Sequence, residues 1–485
     1  MTYSDKTPPK HAGNAVPFMT LLFLLFFRIA PCAEPVTLES FSNLLKRTHP
    51  FFQKERLTSE IETAERQSFL GDTDWNVTSS LAWSREEETI NVFNPEVTSA
   101  LSFRSGVGRE FWETGGRLTA TYSLGRTSNT FEQTPLFSSP ERFYENSFEL
   151  QYSQPLLRNR GGKLSRLQYD LKGFDIDAAE IQAKETSEEF LVDALSKYLD
   201  WVYLEEQMKI VSRRLTLSRS ELDRTERKFG AYLVDSADVM RSKDAVNTWR
   251  QNLAVVETRL SALRSELSVL VQRPFILDAQ PDFNLYSLQR PAALRAAKAK
   301  IEDSSRVLRI IALRKEQLDR GAEGVKESGK PDLSLVAAVT AKSAAERTGD
   351  SFTFEKKDAA LGLQLSVPLE NTAAKANYRK NRLQLLQLEK EREDALLSLN
   401  ASLGSLHTQL TQLERVLDIN RQQIETARLR TREETKIYEQ GRGDLTFVIM
   451  SRDNEESAKL AYAENALNYQ KLWLRYQALL DELYR

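Results

Sequence analysis

Two spacings of apolar residues alternate along the 485-residue chain. One steps by three and four. Val246, Trp249, Leu253, Val256, Leu260, Leu263, Leu267 and Leu270 keep that step without a miss, and Leu396, Leu399, Leu403, Leu406, Leu410, Leu413 and Leu417 repeat it. A seam sustained this long lies along one stripe of a helix and predicts coiled-coil packing. Glycine and proline are nearly absent from these stretches, as uninterrupted helices require. A helix from Pro155 to about Tyr232, roughly 75 residues, would reach on the order of 110 Å, and one from Pro368 to Tyr438 would be nearly as long.

The second spacing is two. In "FELQYSQPL", Phe148, Leu150 and Tyr152 point one way and Glu149, Gln151 and Ser153 the other. Leu361, Leu363, Leu365 and Val367 share a face opposite Gly362, Gln364 and Ser366. "WNVTSSLAW" places Trp75, Val77, Leu81 and Trp83 near one face, and "LSLVAAVTA" alternates Leu333, Leu335, Ala337 and Val339 with smaller or more polar residues. Segments of about ten residues, apolar on one side only, fit strands of a membrane barrel with a wet lumen. "SALSFRSGVG" and "GGRLTATYSLG" are two more candidates. The pattern leaves open whether they join a barrel or form a separate hairpin.

Four strands cannot close a membrane barrel, which needs about eight. An open edge in lipid would leave backbone groups unpaired at several kcal/mol each. Either the strands stay out of a membrane, or several chains share one barrel and the protein is an obligate oligomer.

The two spacings recur in one order. "SFELQYSQPLLRNRGGKL" (147–164) and "AALGLQLSVPLENTAAKA" (359–376) each run from an alternating strand through a proline into a long helix. The joints centre on Pro155 and Pro368, and proline suits a place where a strand ladder ends. Each is preceded by a helical stretch that opens near a proline, Pro50 or Pro291. The pattern predicts an internal duplication: a first repeat over 36–280, with strands at about 75–155 and a helical hairpin at about 163–272, and a second over 281–485, with strands at about 331–369 and a hairpin at about 372–484.

Composition narrows the function classes. There are 67 basic and 69 acidic residues, a formal net charge of −2, which gives no reason to expect nucleic acid as a partner. Lys6, Lys10 and His11 precede the apolar run Val16–Phe27, and small residues follow in "IAPCAEP". This is the pattern of a secretory signal peptide over 1–33. Cys32, the only cysteine, is either removed or inert, or it is a candidate lipidation site, with Pro31 standing where a lipobox wants Gly, Ala or Ser. No later run of about twenty apolar residues predicts a membrane helix. His11, His49 and His407 are scattered, without metal-ligand spacing, and neither a phosphate-cradling glycine loop nor a G-x-S-x-G elbow occurs. No enzymatic activity and no cofactor are expected.

The duplicated joints, the proline-entered helices and two hairpin turns, "FGAYLVDSADVM" (229–240) and "YEQGRGDLTFVIM" (438–450), together resemble the TolC-like outer-membrane efflux proteins. The resemblance covers about 36–485. It implies a mixed α/β membrane protein and a homotrimer: a 12-stranded outer-membrane β-barrel, four strands per chain, continuing into a periplasmic α-helical coiled-coil barrel. It implies a location in the outer membrane of a Gram-negative bacterium, in contact with its lipid. The partners it implies are a periplasmic adaptor and an inner-membrane pump of RND or ABC type, for which the chain is the export duct. The family's turn pattern is Tyr-x-x-Gly with Asp-Val six residues after the glycine, at a tip that gates the tunnel. Here Tyr232 stands where glycine is usual, Asp238 keeps the carboxylate, Gly441 keeps the glycine, and Phe447 replaces the second carboxylate. Asp235 and Asp444 lie beside them as turn residues. Asp238 serves equally as a helix N-cap, a role that aspartate fills well. The alternative function is a non-conducting periplasmic coiled-coil adaptor or scaffold.

Overall fold

A computed structural model describes residues 35–87, 95–131 and 140–484. The signal-peptide segment and Cys32 lie outside the described residues. The chain opens with α1 (Leu38–Thr48) and α2 (Pro50–Ser68), then β1 (Asn76–Glu87), β2 (Val97–Phe111), β3 (Gly116–Thr130), β4 (Arg142–Pro155), α3 (Leu167–Gly230) and α4 (Ser236–Leu270). The order then returns as α5 (Leu294–Ser304), α6 (Arg306–Ser328), β5 (Asp332–Ala345), β6 (Lys356–Ser366), α7 (Thr372–Glu439) and α8 (Leu445–Leu479).

The helices form where the three-and-four spacing requires them. α3 and α7 have 64 and 68 residues and reach roughly 95–100 Å. Their return helices α4 and α8 have 35 residues each, so each covers about half of a long helix. α2 packs on α3 and α6 on α7. Pro50 sits in the first turn of α2, where its missing N–H costs nothing, and His49 Nδ1 accepts from the Phe51 amide to cap the helix. The seams point inward as expected. Leu403, Leu410 and Leu417, seven apart, are 0–1% exposed, and Val246, Trp249, Val256, Leu260 and Leu267 are buried on α4. Leu260, Leu267 and the three α7 leucines join a core that also holds Phe41, Leu195, Tyr198 and Trp201, while Val246, Trp249 and Val256 pack in a second cluster with Val211 and Leu215. Among the described residues no helix is long and apolar enough to cross a membrane.

The strands form one antiparallel sheet in the order β1-β2-β3-β4-β5-β6. This corrects the expectation of four strands per chain. "SALSFRSGVG" and "GGRLTATYSLG" lie in β2 and β3, inside the sheet, and a trimer of such sheets cannot be a 12-stranded barrel. Their membership depends on which strands they pair with, and alternation along one segment carries no such information.

Directly opposed residues share a face, so the register maps both faces. One row runs Val77, Val107, Ala120, Leu150, Val339, Ala359. The next row on that face runs Ser79, Ser105, Tyr122, Phe148, Ala341, Lys357, and the one beyond it begins Leu81, Phe103, Leu124. Leu335 stands opposite Leu363, and Leu333 opposite Leu365. These residues make a largely apolar belt in which the row from Val77 to Ala359 is apolar on every strand, with Asn146, Arg109 and Arg126 among its polar exceptions. The other face carries Thr78, Gly106, Thr121, Glu149, Thr340 and Asp358 in a single row. Tyr144 with Trp83 marks one border of the belt, and Tyr152 with Trp75 marks the other. Every residue of the two edge strands, β1 and β6, is exposed.

The two strand-to-helix joints play the same part but are built differently. Pro155 closes β4, with the next amide, Leu156 N, donating to Leu333 O at 2.7 Å. An irregular segment, 156–166, then intervenes before α3, so the helix does not start at the proline as the sequence suggested. Pro368 lies past the end of β6, and α7 begins four residues later. There Asn371 takes a left-handed φ of 50° and donates its side-chain amide to Gly329 O at 2.8 Å.

The face assignment has a direct test. Leu363→Arg or Leu365→Arg is expected to cost folding into a lipid bilayer about 2–4 kcal/mol, the penalty for a charge near the midplane of a barrel wall. Gln364→Arg, on the opposite face, is expected to cost less. Denaturant titration of protein refolded in lipid vesicles measures all three, and equal costs would remove the assignment.

Candidate functional site: the paired hairpin turns

Both helical hairpins reverse through the same backbone device. In the first, Tyr232 N donates to Phe229 O at 2.9 Å and Leu233 N to Lys228 O at 2.9 Å. In the second, Gly441 N donates to Tyr438 O at 3.0 Å and Arg442 N to Ile437 O at 3.1 Å. These are the paired bonds of a Schellman C-cap, which puts one residue in the left-handed region. That residue is Gly441 at φ 69° and Tyr232 at φ 57°. Tyr232 therefore occupies a glycine position in fact as well as in sequence, and its side chain is 97% exposed.

The return helices start alike. Asp444 caps α8, its carboxylate accepting from Thr446 N at 2.7 Å. Bonds from the Thr446 side chain and amide hold Asp444 below the usual carboxylate range, and the charge of Arg241 adds to that. Asp235 occupies the matching N-cap position of α4 without a side-chain cap bond. The expectation that Asp238 doubles as an N-cap is thus corrected: Asp238 lies a turn further in, with Arg241 Nη1 at 2.8 Å from its carboxylate. Arg241 was missed by the sequence reading, although its i,i+3 spacing from Asp238 is the signal for such a pair.

The two turns lie side by side around one open groove of about 910 Å³. Asp238, Tyr232, Asp235, Gly441, Asp444 and Phe447 all line it, so the six residues singled out from the sequence are brought together. Lys228 reaches across from α3, its ammonium 4.0 Å from the Tyr438 ring centroid. Arg224 and Glu439 bridge the ends of α3 and α7 at 3.1 Å. The groove is thus lined by both signs of charge and by exposed apolar surface from Tyr232, Leu233 and Phe447.

Behind the turns, one buried ionic cluster ties the two hairpins together. Arg214 of α3, 0% exposed, donates to Asp453 of α8 from Nη2 at 2.8 Å and from Nε at 3.0 Å. Its Nη1 reaches Ser218 at 2.7 Å and Glu221 at 3.4 Å. Trp249 of α4 donates to the same Asp453 oxygen at 3.2 Å. Arg452 pairs with Glu221. Residues more than two hundred positions apart meet here, and nothing local in the sequence marks them.

Glu185, Glu188 and Asp481 form a second concentration of carboxylates, their oxygens within 4.8 Å of one another. The guanidinium of Arg306 lies among them, paired with Glu188, 3.7 Å from Glu185 and 3.9 Å from Asp481. Glu188 also accepts from the amides of Leu483 and Tyr484, which clamps the end of the chain onto α3. The centre a metal cation would occupy is already filled by Arg306. Burial first, and then the neighbouring carboxylates, push Glu185 up to about 7.

No protein-family model matches the chain, and no curated protein matches it in sequence. Solved structures do. A membrane protein from Pseudomonas aeruginosa aligns with a TM-score of 0.67 at 10% identity, covering 92% of this chain and 91% of that one. The MtrE outer-membrane channel of Neisseria gonorrhoeae aligns with a TM-score of 0.65 at 15% identity, covering 92% and 90%. The outer-membrane protein VceC of Vibrio cholerae aligns with a TM-score of 0.62 at 12% identity, covering 92% and 96%. The chain has the fold of these three membrane proteins, one of which, MtrE, is named an outer-membrane channel. The resemblance read from the duplicated joints and turns is borne out at the level of the fold.

Two outcomes follow from this geometry. A side chain in the left-handed region costs roughly 1–2 kcal/mol. Because the Tyr232 side chain is free, Tyr232→Gly is expected to be more stable than Tyr232→Ala by about 1 kcal/mol in thermal unfolding. Equal stability would mean that the turn carries no strain. For Glu185, the folded pKa lies above the unfolded one, so ionisation weakens the fold. The penalty is absent below the ordinary glutamate value of 4.5, grows as pH rises, and is complete above about 7. Glu185→Gln is therefore expected to raise the melting temperature at pH 8 more than at pH 5, and a pH-independent change would contradict this.

Proposed function

We propose that this protein is an outer-membrane export duct of a Gram-negative bacterium. In this reading three copies assemble, their sheets close a barrel in the outer membrane, and their helical hairpins form a tunnel through the periplasm. The observation that carries it is the sheet face on which the row from Val77 to Ala359 is apolar on all six strands, flanked by further apolar residues and joined to helices roughly 95–100 Å long. Tyr152 and Tyr144 stand about 26 Å apart along β4 at about 3.3 Å per residue. Allowing for strand tilt, that span is close to the roughly 25 Å apolar band, flanked by aromatic girdles, of outer-membrane barrels. A periplasmic scaffold would have no use for such a belt.

The polar face of the sheet, rich in threonine, serine and glycine, lines the lumen in this reading. The chain offers no energy-converting chemistry, so transport through it is passive. The energy comes from an inner-membrane pump of RND or ABC type, coupled by a periplasmic adaptor. The two repeats, 36–280 and 281–485, each supply one strand-to-helix passage at Pro155 or Pro368, and residues 1–33 direct export.

The paired turns form the gate at the periplasmic tip. Three copies of Asp238 there make a ring of carboxylates that attracts cations. Arg241 offsets each one at 2.8 Å, so the ring is less negative than its carboxylates alone would make it. Tyr232 and Phe447 add apolar surface to the constriction.

The test is membrane fractionation followed by single-channel recording in lipid bilayers. A trimer in the outer-membrane fraction is expected, and a soluble monomer after native extraction would overturn the reading. Asp238→Asn is expected to weaken block by divalent cations and Arg241→Ala to strengthen it. Block unchanged in both variants would place the gate elsewhere.

A further inference from the structure

We infer that the β2–β3 hairpin is a built-in widening of the membrane wall. Three copies then close an 18-stranded barrel, with β1 of each copy pairing with β6 of the next. The inference rests on the trimeric duct proposed above and adds the strand count, the closing edges and the role of the first joint.

The hairpin is integral to the sheet. β2 pairs with β3 from Val97 to Phe111 and with β1 along the whole of β1. β3 pairs in turn with β4 from Arg117 to Ser128. Its side chains extend the apolar row of one face and the polar row of the other, with Ser105, Arg109 and Arg126 as polar exceptions on the apolar face. Val107, Ala120, Phe103 and Leu124 lie in the belt between β1 and β4, while Gly106, Arg104, Thr121 and Ser123 lie on the polar face. A hairpin standing free in water would have no reason to match the apolar rows on either side of it.

The turn that closes this hairpin, at 112–115, is seated on the first strand-to-helix joint. Thr114 O accepts from Gly161 N at 3.2 Å and from Gln154 Nε2 at 2.8 Å. The Trp112 ring lies 5.3 Å from Tyr169 of α3, and Glu110 accepts from the Ser165 hydroxyl. Glycine is required at the contact. Gly162 has φ 65°, and a Cβ there would come within 1.6 Å of Trp112 O. Gly115 has φ 72°, and a Cβ there would come within 2.4 Å of Asn159 O. The "RNRGG" stretch is therefore the seat for the extra hairpin. Its absence from the second joint fits, because the second repeat contributes only β5 and β6.

What remains unpaired is one edge of β1 and one edge of β6, both exposed along their full length, with Leu81 at 72% and Leu361 at 76%. In lipid those edges must pair. The occupant is another copy of this chain, because the two edges left free among the described residues are complementary sides of one antiparallel ladder. Barrel diameter grows roughly linearly with strand number, and barrels of about 16–18 strands hold an aqueous channel. A wall of this size leaves the hairpin turns as the narrowest part of the duct.

Nitroxide labels read the wall directly. After replacement of Cys32, the variants Phe103→Cys, Arg104→Cys, Ser123→Cys and Leu124→Cys are labelled singly in lipid vesicles, with Leu363→Cys and Gln364→Cys as controls on β6. Positions 103, 124 and 363 are expected to collide with oxygen in the bilayer, and 104, 123 and 364 with a water-soluble nickel chelate. Nickel access at all four hairpin positions, with alternation kept at 363 and 364, would overturn the widened wall and leave the duct intact. Loss of alternation at 363 and 364 as well would overturn both. In a second measurement, Gly162→Val is expected to speed amide exchange at 111–116 while β4 stays protected. Unchanged exchange there would overturn the seat.

Discussion

A strand in hydrocarbon must pair every backbone N–H and C=O, because no water is present to do it. This one requirement organises the molecule. The sheet of six strands satisfies it internally but ends in two edges, β1 and β6, which a single chain cannot bring together. In the proposed duct further copies complete the sheet, and the stripes of the long helices are completed with it. Leu383, Leu386, Leu397 and Ile419 remain more than half exposed on α7, apolar surface that a lone subunit would present to water. Sheet and helices are thus left unfinished on the same terms.

The connection between the two parts is made twice, in two ways. At the second joint, the strand passes to the helix within a few residues, steadied by Asn371. At the first, a longer segment intervenes because it also receives the turn between β2 and β3. The far ends of the helices obey a different rule. There the chain must reverse twice in close quarters, and both reversals use the same left-handed C-cap. Glycine fills it at one turn and tyrosine at the other. The Arg214 cluster joins α3, α4 and α8 behind the turns and so ties the two hairpins together.

Much of this was legible in the amino-acid sequence, and the parts that were not share a cause. The seams of α4 and α7 were readable because a three-and-four step sustained over many turns has no other interpretation. The apolar faces of β1, β4, β5 and β6 were readable from alternation. The start of α3 was misplaced, since Pro155 ends the strand but says nothing about the glycine-rich segment after it. Whether β2 and β3 belong to the sheet was not readable, because pairing is a tertiary fact. At the turns, the family pattern pointed to Tyr232, Asp238, Gly441 and Phe447, which all line the groove, while the capping role that aspartate chemistry suggested for Asp238 belongs by position to Asp235 and Asp444. The ion pairs of Arg214 with Asp453 and of Arg306 with Glu188 join residues far apart in the chain, and no local spacing could announce them.

The central claim is that both edges of the sheet are closed by other copies of the chain within a membrane. Amide hydrogen exchange along β1 and β6, in protein assembled in lipid vesicles, tests it most directly. The account predicts protection over the whole of both edge strands, matching that of the interior strands β3 and β4. Edge amides that exchange as fast as those of the connecting loops, in the same assembled sample, would contradict it.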